Sequence, residues 1–386
     1  MRIGIDATNI GGGGGVTHLQ EVLNSLNSNQ SLDIPNKIIV FSSTKVLKKI
    51  TDSELIEKLS FPGLNRNLFH RIYFQFFLFD KEIKSRCDIL FSITGDYIGN
   101  FKPVVGMSQN MLLFERDIWK EIKQPKEIIR FWLNFQKQKF SFKNSDGIIF
   151  ISNYAKEYIS TKLDLKGKEI TVIHHGISPR FKNEIQKQKP LSEYSFSNPF
   201  KLVYVSTVHV YKHQWNVVEA IGILRAKGFP IILNLVGGVI FEPAGKKLNK
   251  TIRKIDPKNE FIYYHGHLPY NKIDIIYKDS DGIIFASTCE NMPNILIESM
   301  ASGKPIACSD KQPMPEFLKE NGFFFDAHDV NSIIKSIEGM LMDYNKREEY
   351  SKNNLLEVSK YNWKTTSIDT FKFIDKIFNS KCNVQK

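Results

Sequence analysis

The chain has 386 residues, 42% of them hydrophobic and 24% charged, which is enough for two domains with separate cores and too apolar for a disordered chain. Its 23 Gly and 15 Pro exclude collagen-like and low-complexity chains, and no apolar run approaches the roughly 20 residues of a membrane-spanning helix. The net charge of +12 is uneven, with 28 Lys and Arg against 19 Asp and Glu in residues 1–190; it points to an anionic partner for that half unless the charge is only a solvated face.

The first β-branched run, Arg2–Asp6, has an acid where a signal peptide would carry its apolar core, so a cytoplasmic protein is expected. Cys87, Cys289, Cys308 and Cys382 are scattered, with no C-x-x-C; neither a disulfide framework nor structural zinc is expected. Directly after the run stands Gly11-Gly12-Gly13-Gly14-Gly15-Val16-Thr17-His18. Such glycines let backbone approach a ligand, and the N terminus of the following helix favours a phosphate. The G-x-G-x-x-G register fails at Val16, and the next run, Lys37–Phe41, ends without the carboxylate a nicotinamide ribose needs. A dinucleotide dehydrogenase is therefore disfavoured.

Short apolar runs continue at Asp88–Ile93, Pro103–Ser108, Gly147–Ser152 and Ile170–His174, then at Lys201–Ser206, Pro230–Val236, Phe261–His265, Gly282–Ser287 and Pro305–Cys308. Runs such as Ile148-Ile149-Phe150-Ile151 are apolar on both faces, as parallel strands covered by helices should be. The fold class read from this alternation is α/β. Ser145-Asp146-Gly147-Ile148-Ile149-Phe150 recurs letter for letter as Ser280-Asp281-Gly282-Ile283-Ile284-Phe285, which suggests two similar doubly wound, Rossmann-like domains. Their boundary is expected in Glu184–Asn198, which lacks apolar periodicity, giving domains over 1–190 and 196–364. Ile368, Phe371, Ile374 and Phe378 mark an amphipathic helix within 365–386, expected to pack back on the first domain.

Two segments of the first half are both basic and aromatic. Asn65–Arg86 holds Phe69, Tyr73, Phe74, Phe76, Phe77 and Phe79. Pro125–Asn144 holds Phe131, Trp132, Phe135, Phe140 and Phe142 among Lys126, Arg130, Lys137, Lys139 and Lys143. Either they meet an anionic membrane surface, or they are helices buried on the first sheet. No nucleic-acid partner is expected, for want of a stacking platform.

In the second half, Ser287–Pro305 reads STCENMPNILIESMASGKP. After the strand Gly282–Ser287, Asn294 is the expected N-cap, and Gly303 with Pro305 closes the helix. Glu290 and Glu298 then flank a helix N terminus suited to an anion. Two acids beside a phosphate repel it unless they bind hydroxyls, and hydroxyls on both sides of a diphosphate describe a nucleotide-sugar. The plain alternative is a capped helix with two solvated acids. Asp279-Ser280-Asp281 imitates a D-x-D metal motif but ends a helix, so it reads as capping. His174-His175 and His265-x-His267 lack a third ligand at usable spacing.

Glu290-x7-Glu298 in this setting resembles the retaining GT-B glycosyltransferases of family 4, the group 1 transferases. The resemblance runs over nearly the whole chain, through RIGIDATNIGGGGGVTH, FISNYAKEYI, VIHHGISPRF, LVYVSTVHVYKHQWNVVEAI, LNLVGG and FIYYHGHLPYNKIDIIYKDSDGIIFAS. It implies a GT-B fold, two doubly wound domains facing across a cleft. It also implies a GDP- or UDP-linked sugar as co-substrate, with no metal and no other cofactor. Glu290 and Lys212 would be catalytic, Glu290 holding donor-sugar hydroxyls and Lys212 neutralising the diphosphate. Glu298 would bind the ribose, with Asn291, Met292, Pro293, Asn294, Ile295, Ser206, Thr207 and Gly237 completing the donor side. Gly13, Gly14 and Gly15 would close over the phosphates, with His18, Gln109 and Asn110 on the acceptor side. Three departures stand out. The arginine usual five or six residues before the lysine aligns with Ser206 or Thr207. The family's E-G-F-P reads Glu290-Asn291-Met292-Pro293, and the histidine common after the fourth strand is absent from Ser108-Gln109-Asn110.

The implied function is hexosyl transfer from a nucleotide-sugar to a glycan or undecaprenyl-diphosphate-linked acceptor with retention of configuration. The setting would be O-antigen or other surface-polysaccharide synthesis, in the cytoplasm or peripherally on the inner face of the plasma membrane. A nucleotide-sugar epimerase on the same fold is the alternative. A catalytically dead binding module is disfavoured by the intact Glu290, Glu298 and Lys212.

Overall fold

The structure is a computed structural model that describes residues 1–27 and 37–382. The chain forms two compact units, one of Met1–Arg116, Lys123–Gly176 and the segment from Tyr361 onward, the other of Asp117–Ile122 and Ile177–Lys360. Among the described residues no helix is long and apolar enough to cross a membrane.

Among the described residues the first unit is built on seven strands, β1 (Arg2–Asp6), β2 (Lys37–Phe41), β3 (Ile56–Leu59), β4 (Ile89–Ser92), β5 (Val104–Ser108), β6 (Gly147–Phe150) and β7 (Glu169–Val172), in the order β3-β2-β1-β4-β5-β6-β7. The second has six, β8 (Phe200–Val205), β9 (Ile231–Val236), β10 (Ile262–Tyr264), β11 (Gly282–Phe285), β12 (Ile306–Ser309) and β13 (Phe323–Phe325), in the order β10-β9-β8-β11-β12-β13. All pairings between these strands are parallel. These are two Rossmann-like sheets. The strand order reverses between β1 and β4 and again between β8 and β11, and at such a switch a crevice opens at the carboxyl ends of the strands.

The repeated hexapeptide does not occupy equivalent places. It lies on β6, next to the edge of its sheet, and on β11, at the centre of the other. What repeats is a local solution. Asp146 accepts the backbone N–H of Val104 at 3.0 Å and Asp281 that of Lys201 at 2.8 Å, each capping the start of the neighbouring strand. Ser145 and Ser280 donate to the carbonyls of Ser141 and Tyr277 that end the preceding helices. The four residues after each Asp are buried strand.

The division falls at Gly176–Ile177, earlier than the expected Glu184–Asn198. Residues 177–199 are committed to the second unit by polar ties: Asn183 donates to the carbonyl of Ala301, Lys304 reaches Gln186, and the buried Arg347 reaches the carbonyl of Lys189. The last helix, Trp363–Cys382, packs on the first unit; residues 383–386 of the expected helix lie outside the described residues. Its buried face is set by Phe371, Ile374 and Ile377 together with the small Ser367 and Thr370, rather than by Ile368 and Phe378, which are half-buried. Ser367 lets the helix close on Gly14–Asn27, donating to the carbonyl of Val22 at 2.8 Å.

Candidate active site

The strand-order reversal of the second unit lies between β8 and β11, paired at Leu202–Gly282 and Val203–Ile283. Each strand runs out into a short loop and then a helix, so both loops meet at one crevice. The first loop carries Lys212 at the end of the turn Val210–Lys212. The second carries Glu290 ahead of the helix Asn294–Ala301. Lys212 and Glu290 form an ion pair with side chains only 7% and 17% exposed.

The ammonium of Lys212 stands 5.1 Å from the centre of the Tyr211 ring and 5.6 Å from that of Phe285. Aromatic walls of this kind exclude water and strengthen every charge interaction inside. The backbone is held as firmly as the side chain. Tyr204 donates its hydroxyl to the carbonyl of Lys212 at 2.7 Å, and the N–H of Thr288 donates to the carbonyl of Tyr211 at 2.9 Å.

His213, absent from the expected site, ties the two loops together. Its backbone is left-handed, with φ 48° and ψ 29°, a conformation that costs a bulky residue of order 1–3 kcal/mol. Its ring nitrogen Nε2 lies 2.9 Å from the Thr288 hydroxyl. Burial, with His328 alongside, pushes its pKa down to about 3, so the ring is neutral.

Glu298 lies in the buried helix after the second loop and accepts a hydrogen bond from the Tyr270 hydroxyl at 2.6 Å. Burial pushes its pKa up to about 7, against the opposing pull of Tyr270 and Arg180. The Arg180 guanidinium sits 3.8 Å over the Tyr270 ring. Arg180 and Tyr270 lie within the segments quoted for the resemblance, but no sequence signal singled them out.

The other residues expected on the donor side lie in the segments around these two loops. Asn291, Met292 and Pro293 are buried, Asn294 and Ile295 half-buried. Asn294 is the first residue of the helix and Pro293 the capping residue, with no side-chain cap; the expected Asn294 cap is displaced by one position because the carbonyl of Pro293 accepts from both Leu296 and Ile297. Gly303, at φ 69°, closes the helix. Gly237, at φ 143°, brings the end of β9 against Ser206: a Cβ there would meet the Ser206 carbonyl at 1.9 Å. Only glycine fits. Ser206 is buried and Thr207 exposed. Asp279 pairs with Lys201 at 2.9 Å and Asp281 caps a strand, so both acids of the D-x-D look-alike are engaged in structure.

In the first unit, Gly13 has φ 64°, and Gly11 and Gly12 face open space. The helix Gly14–Asn27 begins there, and the Gln109 side chain lies 3.7 Å from the place a Cβ of Gly15 would take. One residue expected on the acceptor side, His18, is turned away from this loop. His18 is fully buried, one turn into the helix, its ring centre 4.4 Å from that of His175, tilted against it, and 5.6 Å from that of Trp363, edge-on. Asn110 is exposed and caps the turn that follows, its side-chain oxygen accepting from the N–H of Leu112 at 3.1 Å.

Comparison with known proteins gives these positions a context. Residues 185–356 match the family described as "Glycosyl transferases group 1". O-antigen chain mannosyltransferase B of Escherichia coli is 22% identical over 190 residues, 48% of this chain and 49% of that protein; the chain thus spans about half the length of this curated relative. Among solved structures, sucrose-phosphate synthase from Thermosynechococcus elongatus superposes with a TM-score of 0.77 at 14% identity, covering 98% of this chain and 100% of the other. Anabaena HepE in complex with UDP-glucose superposes with a TM-score of 0.71 at 15% identity, over 98% and 100% of the two chains. The chain has the GT-B fold, and its residues 185–356 match the model of the group 1 glycosyl transferases.

Proposed function

We propose that the protein is a retaining glycosyltransferase that moves a hexosyl group from a GDP- or UDP-linked donor to a glycan or lipid-linked acceptor. One observation carries the reading. The strand-order reversal of the second unit sets a water-shielded cation, Lys212, against Glu290, with a second buried carboxylate, Glu298, in the helix that follows. A diphosphate bound between them meets the cation, while the carboxylates take hydroxyls, Glu298 those of the ribose and Glu290 those of the sugar. The complex of HepE with UDP-glucose supports a nucleotide-sugar as the class of donor.

In the proposed reaction the bond from the anomeric carbon to the diphosphate oxygen breaks, and negative charge grows on that oxygen. Lys212, fixed before the substrate arrives, stabilises that charge at little reorganisation cost. The acceptor oxygen bonds to the same face of the anomeric carbon, and its proton passes to the departing diphosphate. Lys212 fills the role a metal would otherwise take, so the reaction needs no resident ion. O-antigen or related surface-polysaccharide assembly is the proposed setting, supported by the mannosyltransferase relative, at the cytoplasmic side where nucleotide-sugars are made.

Calorimetric titration with UDP and GDP, followed by turnover assays with matched sugar donors, tests the reading. Tight binding of one nucleotide, weakened by Glu298→Ala, is expected. If neither nucleotide binds, the proposed reaction is wrong.

A further inference from the structure

The segment Leu68–Arg86 folds as two helical stretches joined by a π-helical turn over Phe74–Leu78. Such turns change which side chains face inward. Here Gln75 is turned in: it donates to the Thr8 hydroxyl at 2.9 Å and to the Asn9 side chain at 2.8 Å. Lys137, from the helix Pro125–Asn144, reaches Gln75 at 3.2 Å and Asp96 at 3.0 Å, and Asn9 donates to Asp96 at 2.5 Å. This ring of polar contacts pins both helices to the loops after β1 and β4. Phe74 and Phe79 pack in the core beside Phe41.

The same turn sends the neighbouring aromatics outward. Phe69, Phe76 and Phe77 are 81%, 61% and 71% exposed, Tyr73 is 58% exposed, and on the second helix Trp132 and Leu133 are 50% and 55% exposed. Tyr73, Phe76 and Phe77 lie side by side, with Phe77's ring centre 5.1 Å from Tyr73's and 6.4 Å from Phe76's, and exposed apolar clusters of this kind mark interaction sites. The two segments, residues 65–86 and 125–144, also hold ten Lys and Arg against three Asp and Glu.

We infer that this helix pair docks the first unit on an anionic lipid bilayer, with the exposed aromatics in the interface and the cations at the headgroups. The charge selects the occupant. A two-fold contact between copies of the chain would set the positive surplus against itself, whereas anionic headgroups are drawn to it. A bilayer also accepts protruding rings without a matching surface. Lys137, one of the cations expected at the headgroups, is engaged with Asp96 and Gln75 instead; its role is to hold the second helix. The inference is independent of the proposed reaction and would put its acceptor within reach of a membrane-borne substrate.

Flotation with vesicles of phosphatidylglycerol in phosphatidylethanolamine tests it. Wild-type protein should float at low salt and less at high salt. Phe76→Ser with Phe77→Ser, at positions outside the core, should lower the partition coefficient by about tenfold or more. Lys126→Gln with Lys143→Gln should weaken binding chiefly at low salt. UDP and GDP titrations on the same variants should be unchanged, which separates docking from the donor site. Absence of wild-type flotation at low salt, or full flotation of the Phe76/Phe77 variant, would overturn the inference. So would a dimer in sedimentation that dissociates on the Phe76/Phe77 substitution without any vesicle binding, because the patch would then be a self-interface.

Discussion

Lys212 and Glu290 stand 78 positions apart in sequence and meet as a largely buried ion pair. Each loop alone is a strand-to-helix connection; the strand order of the sheet makes them a site. A buried pair of this kind adds little net stability, but removing one partner leaves the other uncompensated.

Lys212→Ala should therefore act on rate beyond its effect on binding. Loss of a preorganised cation facing developing charge typically lowers kcat by roughly 100- to 1000-fold, and donor KM should rise far less. Steady-state kinetics with the identified donor read both constants. A change confined to KM would make the lysine a uniform binder. Activity should persist in EDTA, and an absolute metal requirement would contradict the proposed role of the cation.

Glu298 links stability to pH. Its pKa in the folded protein is raised to about 7 from an ordinary 4.5, so between these values the folded state holds more protons than the unfolded. Stability from this group is complete below about pH 4.5 and is lost as pH rises toward 7. Relative to wild type, Glu298→Gln should gain thermal stability at pH 8 compared with pH 5, while nucleotide affinity falls. Melting curves at the two pH values check the sign; an unchanged difference would mean Glu298 is not held protonated by burial.

His213 has a positioning role that a stability assay alone would miss. Replacing it by Gly removes the left-handed strain and the tether to Thr288 together. The expected result is little change in Tm and a drop in kcat of about tenfold, the price of misplacing Lys212 against Glu290. His213→Asn, which tolerates the backbone conformation and keeps a polar side chain, should recover part of the rate. Equal activity of the Gly variant and wild type would reduce His213 to a bystander.

His18 predicts acid sensitivity of the opposite sign. Burial and the neighbouring His175 hold its pKa well below the ordinary 6.5, so the unfolded chain binds the proton more readily. Stability should fall as pH drops below about 6.5. His18→Phe should flatten the Tm profile between pH 7 and pH 5; an unaltered slope would place the acid sensitivity elsewhere.

Most of the sheet framework could be read from β-branched runs, because parallel strands buried on both faces are apolar throughout. The two strands that escaped are both at sheet edges: β3, Ile56-Glu57-Lys58-Leu59, carries charges, and β13 is only three residues long. The two acids of the proposed donor site were legible because Glu290 lies in the loop after a buried strand and Glu298 one turn into the helix that follows. The residues that position them were not. His213 depends on a backbone conformation, and Arg180 and Tyr270 on a packing contact between segments 90 positions apart. On the aromatic helices no periodicity separates Phe74 and Phe79, which are core, from Phe76 and Phe77, which are solvent-facing; the π-helical turn between them resets the register.

The closing of the first unit by the helix Trp363–Cys382 has a consequence for synthesis. The second unit is nearly contiguous in the chain, but the first needs Ser367 against Val22 and Ile377 against Gly147. A ribosome therefore releases β1 to β7 long before the segment that covers them exists. Until Trp363–Cys382 emerges, the faces around His18 and Gly147 stand open to water and to chaperones. A stop codon just beyond Lys360 would spare every residue assigned to the donor site and still leave the nascent first unit unfinished.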